Sequence, residues 1–257
     1  MDFTQARTNF TNYVATFGDS NHRYKLKYDH SLRTETAARQ ICASENDNPQ
    51  TCDLAEMIGL LHDIGRFEQL RRFDSFSDAK TIDHAALGNE ILQKDDFIKS
   101  FCADEKLYPI IYTAIFNHNK YQIEPGLDDV TLFHAKVIRD ADKYDILNFM
   151  GFESFDDLSR RDSIADDEIS DEFVAGFEKG KMLLRDDCKT SLESYLFALG
   201  YVFDINFKQT FVMLKASGYL EKLVARVDSP KNHEKMEKML ANALAYVDRQ
   251  ISPNSQQ

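Results

Sequence analysis

Apolar side chains recur every three to four residues along most of the chain, which is the spacing that gives an α-helix one buried face. One segment carries the pattern at Leu54, Met57, Ile58 and Leu61. The last segment carries it at Met236, Leu240, Ala243, Leu244, Val247 and Ile251. Alternating runs of β-branched residues are few, and only ten Gly and five Pro interrupt the 257 residues. The pattern predicts an all-α protein.

The segment "LLHDIGRFEQ" places a histidine and an aspartate side by side behind an apolar run. Asp53 is predicted to cap the helix that carries this run, because an aspartate side chain accepts hydrogen bonds from the free N–H groups of a first turn. Gly65 is predicted to end the helix in the left-handed conformation that glycine accepts without strain. These ends put His62 and Asp63 in the last turn.

Other predicted helices also carry side chains that can bind metals. The segment "YDHSLRTETAARQICA" has His30 in its first turn. A helix that starts at Thr81 or Asp83 has His84 in its first turn, since both residues are good N-caps. The apolar segment "YPIIYTAIF" delivers His118 at its C-terminal end.

The segment "TLFHAKVIRDADKYDILNFM" is predicted to be a further helix, with a broad apolar face and Asp142 in its interior. Asp140 competes with Asp142 as the carboxylate that could bind a metal. The remaining histidines, His22, His134 and His233, are predicted to be structural residues, as isolated histidines usually are.

Composition divides the chain into three parts. Residues 1–152 are predicted to form a helical core. Residues 153–172 carry nine acidic side chains against only Arg160 and Arg161, which favours a solvated loop or lid. Residues 173–252 are predicted to be helices that pack on the core, so that the chain forms one structural unit.

The charge and cysteine content exclude several classes of protein. A formal charge of −12 argues against bulk binding to nucleic acid, which needs a basic surface. The four cysteines are widely spaced and include no C-x-x-C pair, so neither a disulfide framework nor a zinc knuckle is predicted. The N-terminus lacks the features of a signal peptide, and no apolar run is long enough to cross a membrane. A cytoplasmic location is expected.

Several helices therefore bring imidazoles and carboxylates toward one polar site. Chance alone predicts about 0.8 adjacent His-Asp pairs in a chain of this composition. The pair His62-Asp63 by itself therefore does not indicate a metal site, and the combination of histidines and aspartates on several helices does. Six such groups exceed what one tetrahedral ion requires. Two ions bridged by Asp63 would use all six, which are His30, His62, Asp63, His84, His118 and Asp142.

The order of these residues resembles that of the HD-domain superfamily of metal-dependent phosphohydrolases. The matching phrases, spread over residues 30–147, are "HSLRT", "LLHDIGRF", "IDHAALG", "AIFNHN" and "RDADKYDIL". The resemblance implies an HD-domain-like helical bundle whose four basic metal ligands are His30, His62, Asp63 and Asp142. It also implies that His84 and His118 are the extra ligands of dinuclear members.

The resemblance implies hydrolysis of a phosphomonoester or phosphodiester, in a nucleotide or small phosphorylated metabolite, by a metal-bound water at two divalent ions. The ions would be Mn, Fe, Zn, Ni or Mg. Arg66 and Lys143 stand next to ligands and are predicted to bind the phosphate. Arg66 replaces the acid of some nucleotidase-like members, and the G-Y-P signature of the cyclic-dinucleotide class is absent, so no substrate subclass is assigned.

Two other functions fit the same residues. Mixed-valent di-iron oxygenases of the superfamily carry the same six-ligand pattern and cleave C–C or C–P bonds with O₂. A non-catalytic module could use the centre only to sense a ligand. The complete ligand set favours an enzyme, and the sequence does not define the oligomeric state.

Overall fold

The computed structural model describes residues 3–18, 21–152 and 164–252. Within these ranges the chain is helical and contains no strand, which confirms the predicted all-α class. The α-helices are α1 (Phe3–Ala15), α2 (His22–Glu45), α3 (Pro49–Leu61), α4 (Ile64–Phe73), α5 (His84–Gln93), α6 (Tyr108–Asn117), α7 (Asp129–Phe152), α8 (Asp171–Glu178), α9 (Ser191–Leu196), α10 (Lys208–Ser217), α11 (Tyr219–Ala225) and α12 (His233–Ile251).

Short 3-10 helices occupy several of the connections between the α-helices. They are Asp78–Lys80, Lys94–Ser100, Glu105–Leu107, Arg185–Asp187, Phe197–Asp204 and Pro230–Asn232. A bilayer-spanning helix needs about 20 mostly apolar residues. None of the described helices meets that requirement.

Helix α2 begins earlier than its apolar pattern predicts. Asn21 caps it at His22 by accepting a hydrogen bond from the backbone N–H of Arg23 at 3.1 Å. His30 therefore lies in the third turn of α2, and its prediction for the first turn is wrong.

The start of helix α3 also differs from the prediction, which placed Asp53 at the N-cap. The helix begins at Pro49, and Asn48 caps it by accepting from the N–H of Gln50 at 3.0 Å. Proline costs no backbone hydrogen bond in a first turn, because an N–H at this position would have no partner within the helix. This Asn-Pro start places Asp53 inside the helix instead of at its end.

Gly65 does not end helix α3 in the left-handed conformation, so that prediction is wrong. Helix α3 ends at Leu61, and Gly65 lies inside α4 with an ordinary helical backbone. A Cβ atom at this position would overlap the backbone oxygen of His84 and lie 2.7 Å from the backbone nitrogen of Gly88. Gly65 is therefore required for the close approach of α4 and α5.

Other helix ends agree with the sequence. Asp83 caps α5 by accepting from two backbone N–H groups of the first turn, at 2.9 and 3.3 Å, so His84 is the first residue of that helix. His118 follows α6 directly, and α7 contains Asp142. The C-terminal repeat of apolar residues forms α12.

The chain divides into two compact units, Met1–Asp142 and Lys143–Gln257. In the first unit, Phe67 of α4 is completely buried within an aromatic cluster. Its ring centroid lies 5.8 Å from those of Phe10 and Phe17 and 6.4 Å from that of Tyr24. These contacts anchor α4 one residue beyond Arg66 and hold the His62-Asp63 link against the core.

The second unit has its own apolar core, to which Leu147, Phe177, Leu199 and Met239 contribute fully buried side chains. Residues 153–163 of the predicted acidic lid lie outside the described residues. Residues 171 and 172 of the same prediction belong to α8. The packing of residues 173–252 on the N-terminal core stays a prediction.

Replacement of Gly65 by alanine is expected to destabilise the first unit, because the added methyl group must separate two backbone segments. We expect the free energy of unfolding to fall by about 1–3 kcal/mol, as measured by urea denaturation followed by circular dichroism. Gly151→Ala is the matched control in α7, since its added Cβ would meet only the Lys222 Cβ at 3.7 Å. A Gly65→Ala protein as stable as the wild type would contradict the packing role.

Candidate metal centre

Six side chains with metal-binding atoms converge in the first unit. They are His30 from α2, His62 and Asp63 from the link between α3 and α4, His84 from α5, His118 from the end of α6, and Asp142 from α7. The side chains of the first five are at most 4% exposed, and that of Asp142 is 13% exposed. The structure thus brings together all six residues predicted as ligands.

One oxygen of Asp63 faces the first part of this cluster. Its Oδ2 lies 3.5 Å from His30 Nε2 and 3.7 Å from His62 Nε2. Asp142 completes the group, with its Oδ1 at 3.1 Å from His30 Nε2 and 3.5 Å from His62 Nε2. Two imidazoles and two carboxylates therefore surround one point.

The other oxygen of Asp63 faces the second part. Its Oδ1 lies 3.2 Å from His84 Nε2 and 3.7 Å from His118 Nε2. The two Nε2 atoms are 2.9 Å apart. The Asp63 carboxylate therefore presents one oxygen to each part of the cluster, as a bridging ligand does.

The ends of the helices orient two of the imidazoles. His62 Nδ1 lies 2.8 Å from the carbonyl oxygen of Gly59, and His118 Nδ1 lies 2.6 Å from that of Ile115. Both carbonyls belong to a last helical turn, whose oxygens lack α-helical partners. We assign the proton of each ring to Nδ1, because a carbonyl oxygen can only accept. Each Nε2 then directs a lone pair into the cluster.

A carboxylate orients His84 in the same way. Asp78 Oδ2 lies 2.6 Å from His84 Nδ1, and Asp78 Oδ1 accepts from Arg66 Nη1 at 2.8 Å and Gln69 Nε2 at 2.9 Å. Metal-binding histidines commonly donate their second N–H to a carboxylate, which fixes the ring. Sequence reasoning missed Asp78, because it lies in a connection without helical periodicity.

The spacing of these atoms fits divalent cations. Two ligand atoms that are each about 2.1 Å from one ion lie about 3.0–3.4 Å apart at octahedral to tetrahedral angles. The separations given above, from 2.9 to 3.7 Å, bracket this range. Two Nε2 lone pairs at 2.9 Å repel each other unless a proton or a cation lies between them. The donor set therefore matches a metal centre.

Electrostatics keep both carboxylates of the cluster ionised. Burial alone would raise the pKa of Asp63, but nearby positive charge, first of all the Lys27 ammonium, lowers it well below the ordinary value. Burial would likewise raise the pKa of Asp142, and His30 and His62 lower it when their Nε2 atoms carry protons. The ionised carboxylate is the form in which such a group binds a metal.

Burial also favours the neutral imidazole. Desolvation lowers the pKa of His118 to about 4, against a smaller opposing effect of Asp63. Its Nε2 lone pair is therefore free of a proton at neutral pH, which is the form that binds a metal.

The two cations predicted to bind phosphate have protein partners. Arg66 Nη1 donates to Gln69 Oε1 at 2.9 Å and to the Phe76 carbonyl at 2.6 Å, besides Asp78. Lys143 pairs with Asp204, with Nζ 2.8 Å from Oδ2. Phosphate binding by Arg66 and Lys143 stays a prediction.

A third cation, which sequence reasoning missed, contacts the cluster directly. Lys27 Nζ lies 2.7 Å from Asp63 Oδ2. Lys27 precedes His30 by three residues on α2, and this helical spacing puts both on one face. That spacing is the signal that could have identified it.

The structure leaves other candidates outside the cluster. Asp140 is buried but belongs to none of the metal-binding groups found among the described residues. His134 is also buried, and desolvation lowers its pKa to about 4. In the described part of the chain its Nδ1 has no hydrogen-bond partner. Its predicted structural role is consistent with this placement.

Comparison with known proteins agrees with the geometry of the site. No curated protein and no solved structure shows significant similarity to the chain. The sequence model of the HD domain matches residues 28–147, a range that contains all six residues of the cluster. Residues 28–147 therefore form an HD domain, a domain typical of the superfamily of metal-dependent phosphohydrolases.

Proposed function

We propose that this protein is a phosphohydrolase with two divalent ions bridged by Asp63, and that it acts on a small phosphorylated molecule such as a nucleotide. The observation that supports two ions is the division of the cluster between the two oxygens of Asp63. His30, His62, Asp63 and Asp142 would hold the first ion. Asp63, His84 and His118 would hold the second.

When bound, two such ions lower the pKa of water and offset the charge of a phosphoryl group. The chain supplies neutral imidazoles and two negative carboxylates, which leave the loaded centre with a net positive charge for an anionic substrate. Backbone carbonyls hold the rings of His62 and His118, and Asp78 holds that of His84. The ligands are therefore fixed in direction before any substrate binds.

Removal of metal is expected to abolish phosphoester hydrolysis, because the proposed nucleophile is a water whose pKa the ions lower. We expect chelation followed by dialysis to stop phosphate release from p-nitrophenyl phosphate, and Mn or another divalent ion to restore it. Undiminished hydrolysis by metal-free protein would refute the proposal. Iron-dependent oxygen consumption without phosphate release would instead assign the chain to the di-iron oxygenases.

His118→Ala is expected to lower the metal content from about two ions per chain to about one, because the second ion would keep only two protein ligands. Elemental analysis of the purified protein measures this ratio. His134→Ala is the matched control, since it removes another buried histidine outside the cluster. Equal metal content in His118→Ala and wild type, together with a lower melting temperature, would mean that His118 is only structural.

Asp78→Asn is expected to weaken binding of the second ion by about 10–100-fold while leaving all direct ligands in place. The amide oxygen is a weaker acceptor for His84 Nδ1–H than the carboxylate. Competition with a chromophoric chelator measures the affinity, and the exposed Asp96→Asn serves as a control for loss of a charge. Unchanged affinity in Asp78→Asn would show that the ring needs no carboxylate partner.

A further inference from the structure

Lys27 lies where the buried cluster meets solvent. Its side chain is 22% exposed, although its ammonium reaches Asp63, which is 3% exposed. The stem rests beside Phe76, with Nζ 5.6 Å from the ring centroid. Phe76 also lies under the Arg66 guanidinium, 5.9 Å from the ring centroid. An aromatic ring therefore supports two cations at the same edge of the cluster.

Metal binding at Asp63 would weaken its contact with Lys27. Oδ2 is the oxygen that faces the first group of ligands, so its lone pair would be shared with an ion. An ammonium beside a divalent cation is repelled unless an anion lies between them. In the described part of the chain, the Asp63 carboxylate and the Phe76 ring are the partners of the Lys27 ammonium. With an ion at Oδ2, Asp63 would hold the Lys27 ammonium less strongly, and a second anionic oxygen would stabilise it.

The neighbouring cations do not compete for this role. Arg66 Nη1 already donates to three oxygens, one of them from Asp78. Lys120 pairs with Asp83, which caps α5. Lys27 Nζ, at 2.7 Å from Asp63 Oδ2, is closer to the bridging carboxylate than Arg66, whose Nε lies 3.5 Å from Asp63 Oδ1.

We infer that Lys27 binds a non-bridging oxygen of the substrate's phosphoryl group, an inference that rests on the proposed hydrolase function. The oxygen would be shared between the ammonium and the metal centre. A charge-assisted hydrogen bond of this kind fixes the orientation of the phosphoryl group and adds to its binding energy.

The charges favour a phosphomonoester as the substrate. Two divalent ions with the carboxylates of Asp63 and Asp142 leave a formal charge of about plus two, and Lys27 raises it to about plus three. A phosphomonoester dianion and an attacking hydroxide together carry about three negative charges, whereas a phosphodiester and hydroxide carry about two. Arg66 does not change this balance, because Asp78 neutralises it. A terminal phosphate therefore matches the site better than a diester.

The test measures binding of inorganic phosphate to metal-loaded protein by isothermal titration calorimetry, with metal content determined in parallel. Lys27→Met removes the charge and keeps an apolar stem, and Lys27→Arg restores the charge. Lys25→Met is the matched control, since Lys25 lies on the same helix, is 75% exposed and pairs with Asp29. Dimethyl phosphate, which carries a single charge, is the second probe.

We expect Lys27→Met to weaken phosphate binding by about 10–100-fold with unchanged metal content. Lys27→Arg should bind phosphate nearly as the wild type does, and Lys25→Met should match it. If Lys27→Met binds phosphate as tightly as the wild type does, or loses its metal, the proposed contact between Lys27 and phosphate is wrong. If Lys27→Met loses as much affinity for dimethyl phosphate as for inorganic phosphate, the proposed preference for monoesters is wrong.

The same measurements distinguish failure of the proposed hydrolase function from failure of the proposed Lys27 contact. Wild-type protein that binds two metals and phosphate but releases no phosphate from any ester would refute hydrolysis, while a weaker Lys27→Met would still support the anion contact. Wild-type protein that binds metal but no phosphate would overturn the role of Lys27 itself.

Discussion

The first unit depends on the convergence of lone pairs in a space with little access to water. Four imidazoles and two carboxylates direct their acceptor atoms at each other, and the closest nitrogens, of His84 and His118, are 2.9 Å apart. A hydrophobic interior does not stabilise such a group without positive charge. Lys27 supplies part of that charge, and divalent cations would convert the remaining repulsion into binding energy.

The helices position the ligands partly through where they stop. The carbonyls of Gly59 and Ile115, which a continuing helix would have used, instead fix the rings of His62 and His118. A helix end in a buried place normally needs a partner for such oxygens. Here one hydrogen bond satisfies the backbone and selects the tautomer that can bind a metal. Termination of α3 and α6 is therefore part of the site.

The apolar period and the order of polar residues predict most of the helices and the residues that converge. They leave Thr81 and Asp83 as alternative caps of α5, and the structure uses Asp83. The start of α3 was predicted wrongly because Asp53 and the Asn48-Pro49 pair are both plausible caps, and the sequence alone does not rank them. The role of Gly65 depends on its contact with His84 and Gly88 of α5, nineteen and twenty-three residues further along the chain. Lys27 and Asp78 act through other side chains, and such pairings require the folded arrangement.

Asp142 lies fourteen residues into α7, with no interruption between Asp129 and the cluster. Each residue of an α-helix turns the chain by about 100° and advances it by about 1.5 Å. Deletion of a single residue in this stretch would therefore turn the carboxylate away from His30 while leaving the composition almost unchanged. The number of residues between Asp129 and Asp142 therefore fixes the direction of this ligand, whereas residues 46–48 and 121–128 lie in connectors without helical phase.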